Sequence, residues 1–192
     1  FIFSEIMFFG AFFGALLYAR LLSVPWLSGE DAATSRLLWD SMVLNWPTAG
    51  PANAGMEWAP MAAWPLPTIN TMILLTSGMT LTVAHHALKD ANRRKLIGFM
   101  WATVLLGSLF IGLQGYEYYE AYAHLNLRMD TGIYGSTFFM LTGFHGMHVI
   151  IGTLMLLVIT LRCMKGHFRP DSHFGFEAAA WYWHFVDVVW LG

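Results

Sequence analysis

Charged residues and cysteine are both scarce in this sequence. Of its 192 residues, only 11% are charged and 57% are hydrophobic, whereas a soluble domain usually carries about 25% charged residues. The single cysteine, Cys163, excludes an internal disulfide and argues against a cysteine-based metal site. The net charge of −2 does not favour nucleic acid as a partner. The composition therefore favours a membrane protein that binds no nucleic acid.

Five apolar stretches predict an all-α integral membrane protein. A helix rises about 1.5 Å per residue, so about 20 residues cross a hydrocarbon core about 30 Å thick. Backbone groups in lipid must form their hydrogen bonds internally, which favours helices. The predicted transmembrane helices are residues 1–22, 66–88, 96–118, 133–161 and 174–191.

A single membrane domain is predicted over residues 1–192, because neither a soluble region nor an internal repeat is evident. Small residues at helix-packing spacing, such as Gly10 and Gly14, favour a packed five-helix bundle. Both ends of the sequence lie inside apolar runs. We therefore expect the chain to be truncated at both ends.

The basic residues predict how the helices are oriented. Seven of the ten Lys and Arg residues follow the second and fourth predicted helices. The positive-inside rule places these loops on the cytoplasmic side, and it places the 23–65 and 119–132 loops outside. The 23–65 outer loop is long and rich in Pro, Trp and Ala, so it either caps a partner or forms an irregular interfacial coil.

Glu5 lies in the first apolar stretch, within FIFSEIMFF. A charge inside a membrane span is costly, so an acidic residue there needs a physical reason. One interpretation is a buried carboxyl that is hydrogen-bonded between helices. The other is a carboxylate that takes part in a proton-linked or gating site.

Polar side chains also occur within the last two predicted helices. His145 and His148 share one face of the fourth helix, and Glu177, His184 and Asp187 lie in the fifth. A buried histidine pair could ligate haem, copper or zinc, but the residues favour hydrogen bonding to a neighbouring helix or subunit. The chain lacks the Glu-x-x-His pattern of carboxylate-bridged metal bundles. We therefore expect an intramembrane polar network and no metal site.

Further candidate residues lie at the predicted cytoplasmic ends of the helices. His85 and His86 end the second helix, where they either collect protons at the surface or are plain interfacial side chains. Arg162 and Lys165 end the fourth helix. They either bind anionic lipid headgroups or only set the topology.

Five segments of the chain, in order and spacing, resemble cytochrome c oxidase subunit III. The matching motifs are FIFSEIMFF, LTVAHHALKD, GLQGYEYYEA, GIYGSTFFMLTGFHGMHVIIGT and HFGFEAAAWYWHFVDVVWL. The resemblance covers nearly the whole chain outside the 23–65 loop. It implies the last five helices of a seven-helix family fold. It also implies a non-catalytic subunit without a redox centre, with haem and copper held by partner subunits.

The resemblance further implies a role in aerobic respiration. Such a subunit supports proton uptake and the stability of the catalytic subunit I during reduction of O₂ to water. The implied partners are subunit I as the main contact, subunit II, membrane phospholipids, and cytochrome c as substrate of the whole complex. The resemblance matches Glu5 to a buried glutamate of the family. It matches Arg162 and Lys165 to positions near a bound phospholipid, and His173 and Glu177 to the cytoplasmic start of the last helix. The expected location is a bacterial inner (plasma) membrane rather than a mitochondrial inner membrane.

The residues alone do not exclude three other functions. Subunit III of a quinol oxidase has five helices, although AHHAL and HFGFEAAAWYWHF resemble the cytochrome c branch. A stand-alone proton-linked transporter could use Glu5, Glu177 and Asp187 as a relay, although no broken helix pair or inverted repeat is evident. A haem- or metal-binding bundle would keep its metal without any partner.

Overall fold

The fold is all-α. The computed structural model describes residues 1–30, 45–51 and 57–192. In these ranges, helices and connecting loops account for the chain, apart from one isolated bridge between Arg169 and Ser172. The prediction of an all-α membrane protein is confirmed, since four of the described helices are long and apolar enough to cross a membrane. These are Ile2–Ser28, Leu66–Lys89, Arg93–Ala123 and Ile133–Met164.

Five α-helices occupy the described ranges, in this order: α1 (Ile2–Tyr18), α2 (Leu66–Lys89), α3 (Arg93–Ala123), α4 (Ile133–Met164) and α5 (Phe174–Leu191). Helices α3 and α4 have 31 and 32 residues. At about 1.5 Å per residue, each exceeds a hydrocarbon core of about 30 Å. These two helices must therefore tilt or extend beyond the lipid.

The first helix continues past its predicted end at residue 22. Two π-helical segments, Ala19–Ser23 and Trp26–Glu30, extend α1 into the sequence expected to form the outer loop. Pro25 lies between them and has no backbone N–H to donate, so wider turns on both sides carry the helix past it. The predicted loop boundary at residue 23 is therefore too early. Residues 31–44 and 52–56 of that loop lie outside the described part of the chain.

Helix α5 is not among the four helices that are apolar enough to cross a membrane. It has 18 residues, and its sequence FGFEAAAWYWHFVDVVWL includes Glu177, His184 and Asp187. These ionisable side chains lower its apolar content. Whether α5 forms a fifth membrane crossing thus depends on whether its polar side chains face the other helices or the lipid.

The contact pattern divides the chain into two compact units. The first unit contains Phe1–Met61 and Tyr119–Phe144. In it, the rings of Phe8 and Phe12 lie 5.0 and 5.4 Å from the ring of Phe144, between centroids. Helix α1 therefore packs on the first part of α4 through aromatic contacts.

Described parts of the outer loop pack within the same first unit. The ring of Trp58 stacks on Tyr134 with centroids 5.2 Å apart. The backbone N–H of Tyr134 donates to the carbonyl of Thr48, and the side-chain amide of Asn126 donates to the carbonyl of Glu57. These contacts attach the loop to the connection between α3 and α4.

The second unit contains Ala62–Tyr118 and His145–Gly192. Its α2 and α5 pack side by side, and two indole N–H groups fix their register. Trp183 Nε1 donates to Ser77 Oγ at 3.0 Å, and Trp190 Nε1 donates to Thr71 Oγ1 at 2.9 Å. Because the lower-numbered residue of α2 meets the higher-numbered residue of α5, the two helices are antiparallel.

Candidate functional site

Four helix ends meet on the basic side of the second unit. Helix α2 ends at Lys89, α3 begins at Arg93, and α4 ends at Met164 just before the loop that leads to α5. The guanidinium of Arg93 donates to the carbonyl of Met164, which connects the start of α3 to the end of α4. This is the side that the basic residues predict to be cytoplasmic.

At these helix ends, two histidines meet one glutamate. His85 lies in the last turns of α2, and His173 precedes α5 by one residue. His173 Nε2 lies 3.2 Å from Glu177 Oε1, and His85 Nε2 lies 3.5 Å from the same oxygen. We call these three residues the His85–His173–Glu177 cluster. The neighbouring His86 is exposed and lies outside the cluster.

The rings of the cluster are oriented by further contacts. His173 Nδ1 lies 3.2 Å from the carbonyl of Arg169, so Nδ1–H donates there and the lone pair is left on Nε2. The ring of His85 lies 5.3 Å from the ring of Phe176. Within the described part of the chain, both Nε2 atoms are buried and make no hydrogen bond of good geometry, although both lie within ion-pair distance of Glu177. All three polar groups are therefore directed at one small volume.

Another polar contact lies two turns further along α5. His184 Nδ1 is 3.5 Å from Asp187 Oδ2, and Thr82 Oγ1 of α2 is 3.5 Å from His184 Nε2. Asp187 is buried against the backbone of Gly78, whereas 43% of the His184 side chain is exposed. This His184–Asp187 pair thus has one face packed on α2 and another open.

The two histidines of α4 are buried. His145 Nε2–H donates to the carbonyl of Val186 at 3.1 Å, and the His145 ring packs 4.8 Å from the ring of Trp190. His148 stacks on Tyr182 with ring centroids 6.2 Å apart. The His145 contact is a hydrogen bond from α4 to α5, which is the alternative to a metal site for this residue.

Glu177 and His184, which the sequence places on one face of α5, take different partners. Glu177 meets His85 and His173, whereas His184 meets Asp187 and Thr82. His184 lies seven positions after Glu177, which is about 10.5 Å along a helix. The residues predicted as one polar network therefore divide into contacts at different depths.

Glu5 is half-buried on α1. Its backbone N–H donates to the carbonyl of Phe1 at 3.2 Å, and the nearby side chains of Phe3 and Met7 are exposed. Complete burial of Glu5 therefore needs lipid or another helix against α1.

Arg162 and Lys165 are exposed at the end of α4. The Arg162 guanidinium lies 4.8 Å from the centroid of the Phe168 ring, which is cation–π distance. A cavity of about 170 Å³ opens nearby and is lined in part by Arg93 and Arg169. Sequence patterns did not single out these two arginines as ligands, although both belong to the basic loops that predict the topology.

Asn70 is another residue that sequence patterns did not single out. It is fully buried in α2, and neither atom of its side-chain amide has a hydrogen-bond partner among the described residues. An asparagine inside the apolar run LPTINTMILL is the signal that could have found it.

Comparison with known proteins identifies the family. The family model for cytochrome c oxidase subunit III matches residues 39–192. Proteins named cytochrome c oxidase subunit 3 from Loxodonta africana and Dugong dugon are 44% and 46% identical, over 196 and 191 residues. The protein of that name from Gallus gallus is 44% identical over 191 residues. Each alignment covers 100% of this chain and 63% of the relative, so the chain spans less than two thirds of these relatives' length. The resemblance seen in the motifs is thereby confirmed, and the chain belongs to the cytochrome c oxidase subunit III family.

Proposed function

We propose that the chain acts as accessory subunit III of a respiratory cytochrome c oxidase. The observation that carries this proposal is the match of the whole chain to 63% of the length of relatives of that name, together with a family match over residues 39–192. In this role the chain supports proton uptake by the catalytic subunit I, and it stabilises that subunit during reduction of O₂ to water. Subunit I is its main contact, subunit II belongs to the same complex, and cytochrome c is the substrate of the whole.

Five membrane crossings, corresponding to the last five helices of a seven-helix fold, are part of this proposal. Helix α5 has 18 residues, which is about 27 Å of helix against a core of about 30 Å. Its Asp187 is buried against α2, and its Trp183 and Trp190 donate hydrogen bonds to α2. Indole groups bonded to α2, and a carboxyl group that faces α2, oppose insertion less than lipid-facing polar groups would.

Haem and copper belong to the partner subunits in this proposal, and this chain serves as a non-catalytic subunit. The packing of His145 supports that assignment. Its Nε2 is bonded to a backbone carbonyl, and its ring lies 5.8 Å from Phe110 and 4.8 Å from Trp190. A haem iron bound at Nε2 would have to displace this hydrogen bond, and the two aromatic rings occupy space beside the imidazole.

Lipid contact and location complete the proposal. Arg162 and Lys165 are exposed on the basic side, where they can bind phospholipid headgroups. Glu5 would be buried, and take part in proton uptake, only where another subunit or lipid covers α1.

The relatives come from mammals and a bird, so the comparisons give no support to the expected bacterial inner membrane. The location that we retain is a respiratory membrane.

The test is purification of the full-length chain with its partners. The chain is tagged in its native host and extracted in mild detergent, and a reduced-minus-oxidised spectrum of the preparation is recorded beside an untagged control. We expect haem and copper to accompany two larger subunits, cytochrome c to be oxidised with O₂, and phospholipid to be retained less well by the Arg162→Gln, Lys165→Gln variant. Oxidation of quinol instead would assign the quinol oxidase branch. A chain that purifies alone and colourless would contradict the oxidase role and favour a transporter.

A further inference from the structure

The His85–His173–Glu177 cluster has the dimensions of a metal site. Its three ligand atoms lie within 4.8 Å of one another, and the two nitrogens are 3.2 and 3.5 Å from Glu177 Oε1. Ligands about 2.0–2.1 Å from a tetrahedral Zn²⁺ are about 3.4 Å apart. The two nitrogen-to-oxygen separations match that value.

The orientation of the ligands also fits a metal. His173 Nδ1–H is held by the carbonyl of Arg169, which is the outer contact that commonly fixes the tautomer of a metal-binding histidine. Glu177 lies one turn after His173, so both project from the same face at the start of α5. The two Nε2 atoms are buried and make no hydrogen bond to any described residue, although a buried polar atom is normally bonded. A cation at the shared point would satisfy both nitrogens and the carboxylate together.

We propose that this cluster binds a divalent transition metal, with Zn²⁺ as the best match. Two imidazoles and one carboxylate suit zinc, whereas Mg²⁺ and Ca²⁺ prefer ligand sets made of oxygen. Three protein ligands leave a fourth position for water or for an acidic group of a partner. The bound ion ties the end of α2 to the start of α5 on the basic side of the membrane. This site does not depend on the oxidase role, because it is built from side chains of this chain alone.

Zinc binding by the purified complex tests the proposal. The complex that contains the full-length chain is stripped with a chelator, dialysed against radioactive ⁶⁵Zn²⁺ at graded concentrations, and counted. The wild-type complex should bind one more zinc ion per chain than the complexes with His85→Asn, His173→Asn or Glu177→Gln. The affinity of this site should fall on the order of tenfold or more in each variant, since loss of an outer contact alone costs that much. His86→Asn is the matched control and should bind as wild type does, because His86 is exposed and outside the cluster.

Folding and assembly are checked in the same preparations. Melting temperatures without zinc, and co-purification of partner subunits, separate a lost ligand from a lost fold. Equal zinc binding by wild type and by all three folded variants would overturn the proposal, as would an equal loss in the His86→Asn control. If a variant fails to assemble, X-ray absorption of zinc added to the wild-type complex decides instead. Nitrogen and oxygen neighbours at about 2.0–2.1 Å, including two imidazoles, support the site, and a shell without imidazole overturns it.

Discussion

At the scale of single residues, the contact of Asp187 with Gly78 sets how closely α5 approaches α2. The carboxylate of Asp187 occupies the space where a Cβ at Gly78 would stand, and His184 Nδ1 would lie 3.5 Å from that same Cβ. Glycine thus allows a buried carboxylate to rest on the backbone of the neighbouring helix. Asp187 can occupy this position only because residue 78 has no side chain.

Gly78→Ala should therefore weaken the α2–α5 contact. The added methyl group forces Asp187 to move, and overpacking of this kind costs about 1–3 kcal/mol. Gly98→Ala is the matched control, because a Cβ there meets nothing within 4 Å and alanine favours helix. The measurement is the melting temperature of the assembled complex. Equal melting temperatures for Gly78→Ala and wild type would show that Asp187 moves aside at no cost.

Spacing along one helix predicts which side chains share a face, but it does not predict what stands opposite them. The sequence places Glu177 and His184 on one face of α5, whereas their partners come from two different levels of α2. His85 and Thr82 are those partners, and neither can be assigned without the register of the two helices. That register is set by indole hydrogen bonds between residues more than 100 positions apart.

At the scale of the elements, Trp183 joins three helices of the second unit. Its indole donates to Ser77 on α2 and lies against Gly107 on α3 and Gly152 on α4. A Cβ would stand 2.7 Å from the ring at Gly107 and 2.8 Å from it at Gly152. Small residues at these positions let the helices close around a side chain that is fully buried.

Trp183→Phe should destabilise the second unit. The substitution removes the donor that Ser77 accepts, worth about 1 kcal/mol, and it opens space beside Gly107 and Gly152. Trp181→Phe makes the same chemical change two residues away on an exposed side chain and serves as control. Thermal melting and the yield of assembled complex are measured for both. A Trp183→Phe complex as stable as the Trp181→Phe complex would mean that the indole is dispensable there.

The predicted stretches located α2, α3, α4 and α5, because a run of about 20 mostly apolar residues without the alternation of a barrel strand favours a helix. They did not locate the end of α1, where π-helical turns continue past Pro25. Sequence patterns also did not predict that Trp58 and Thr48 would contact Tyr134, the second residue of α4. Such contacts depend on tertiary packing that local composition does not encode.

At the scale of the whole molecule, the helix ends and the basic loops together specify a topology. Seven of the ten basic residues lie in or beside the connections that follow α2 and α4, mostly in the helix turns next to them, which places both connections on one side of the membrane. The connection between α3 and α4 then lies on the other side. If α5 crosses the membrane, it leads from the basic side towards that other side.

Single cysteines placed in these loops test the topology and the number of crossings together. In a Cys163→Ala background, single cysteines replace four exposed residues: Ala91, Asp130, His167 and Gly192. Each variant is treated with an impermeant maleimide in sealed, oriented vesicles. Ala91→Cys and His167→Cys should react from one side, and Asp130→Cys and Gly192→Cys should react from the other. The pair His167→Cys and Gly192→Cys is decisive, because only α5 separates these two positions. If both react from the same side, α5 does not cross, and the polar residues Glu177, His184 and Asp187 lie on a helix held against the bundle without spanning it.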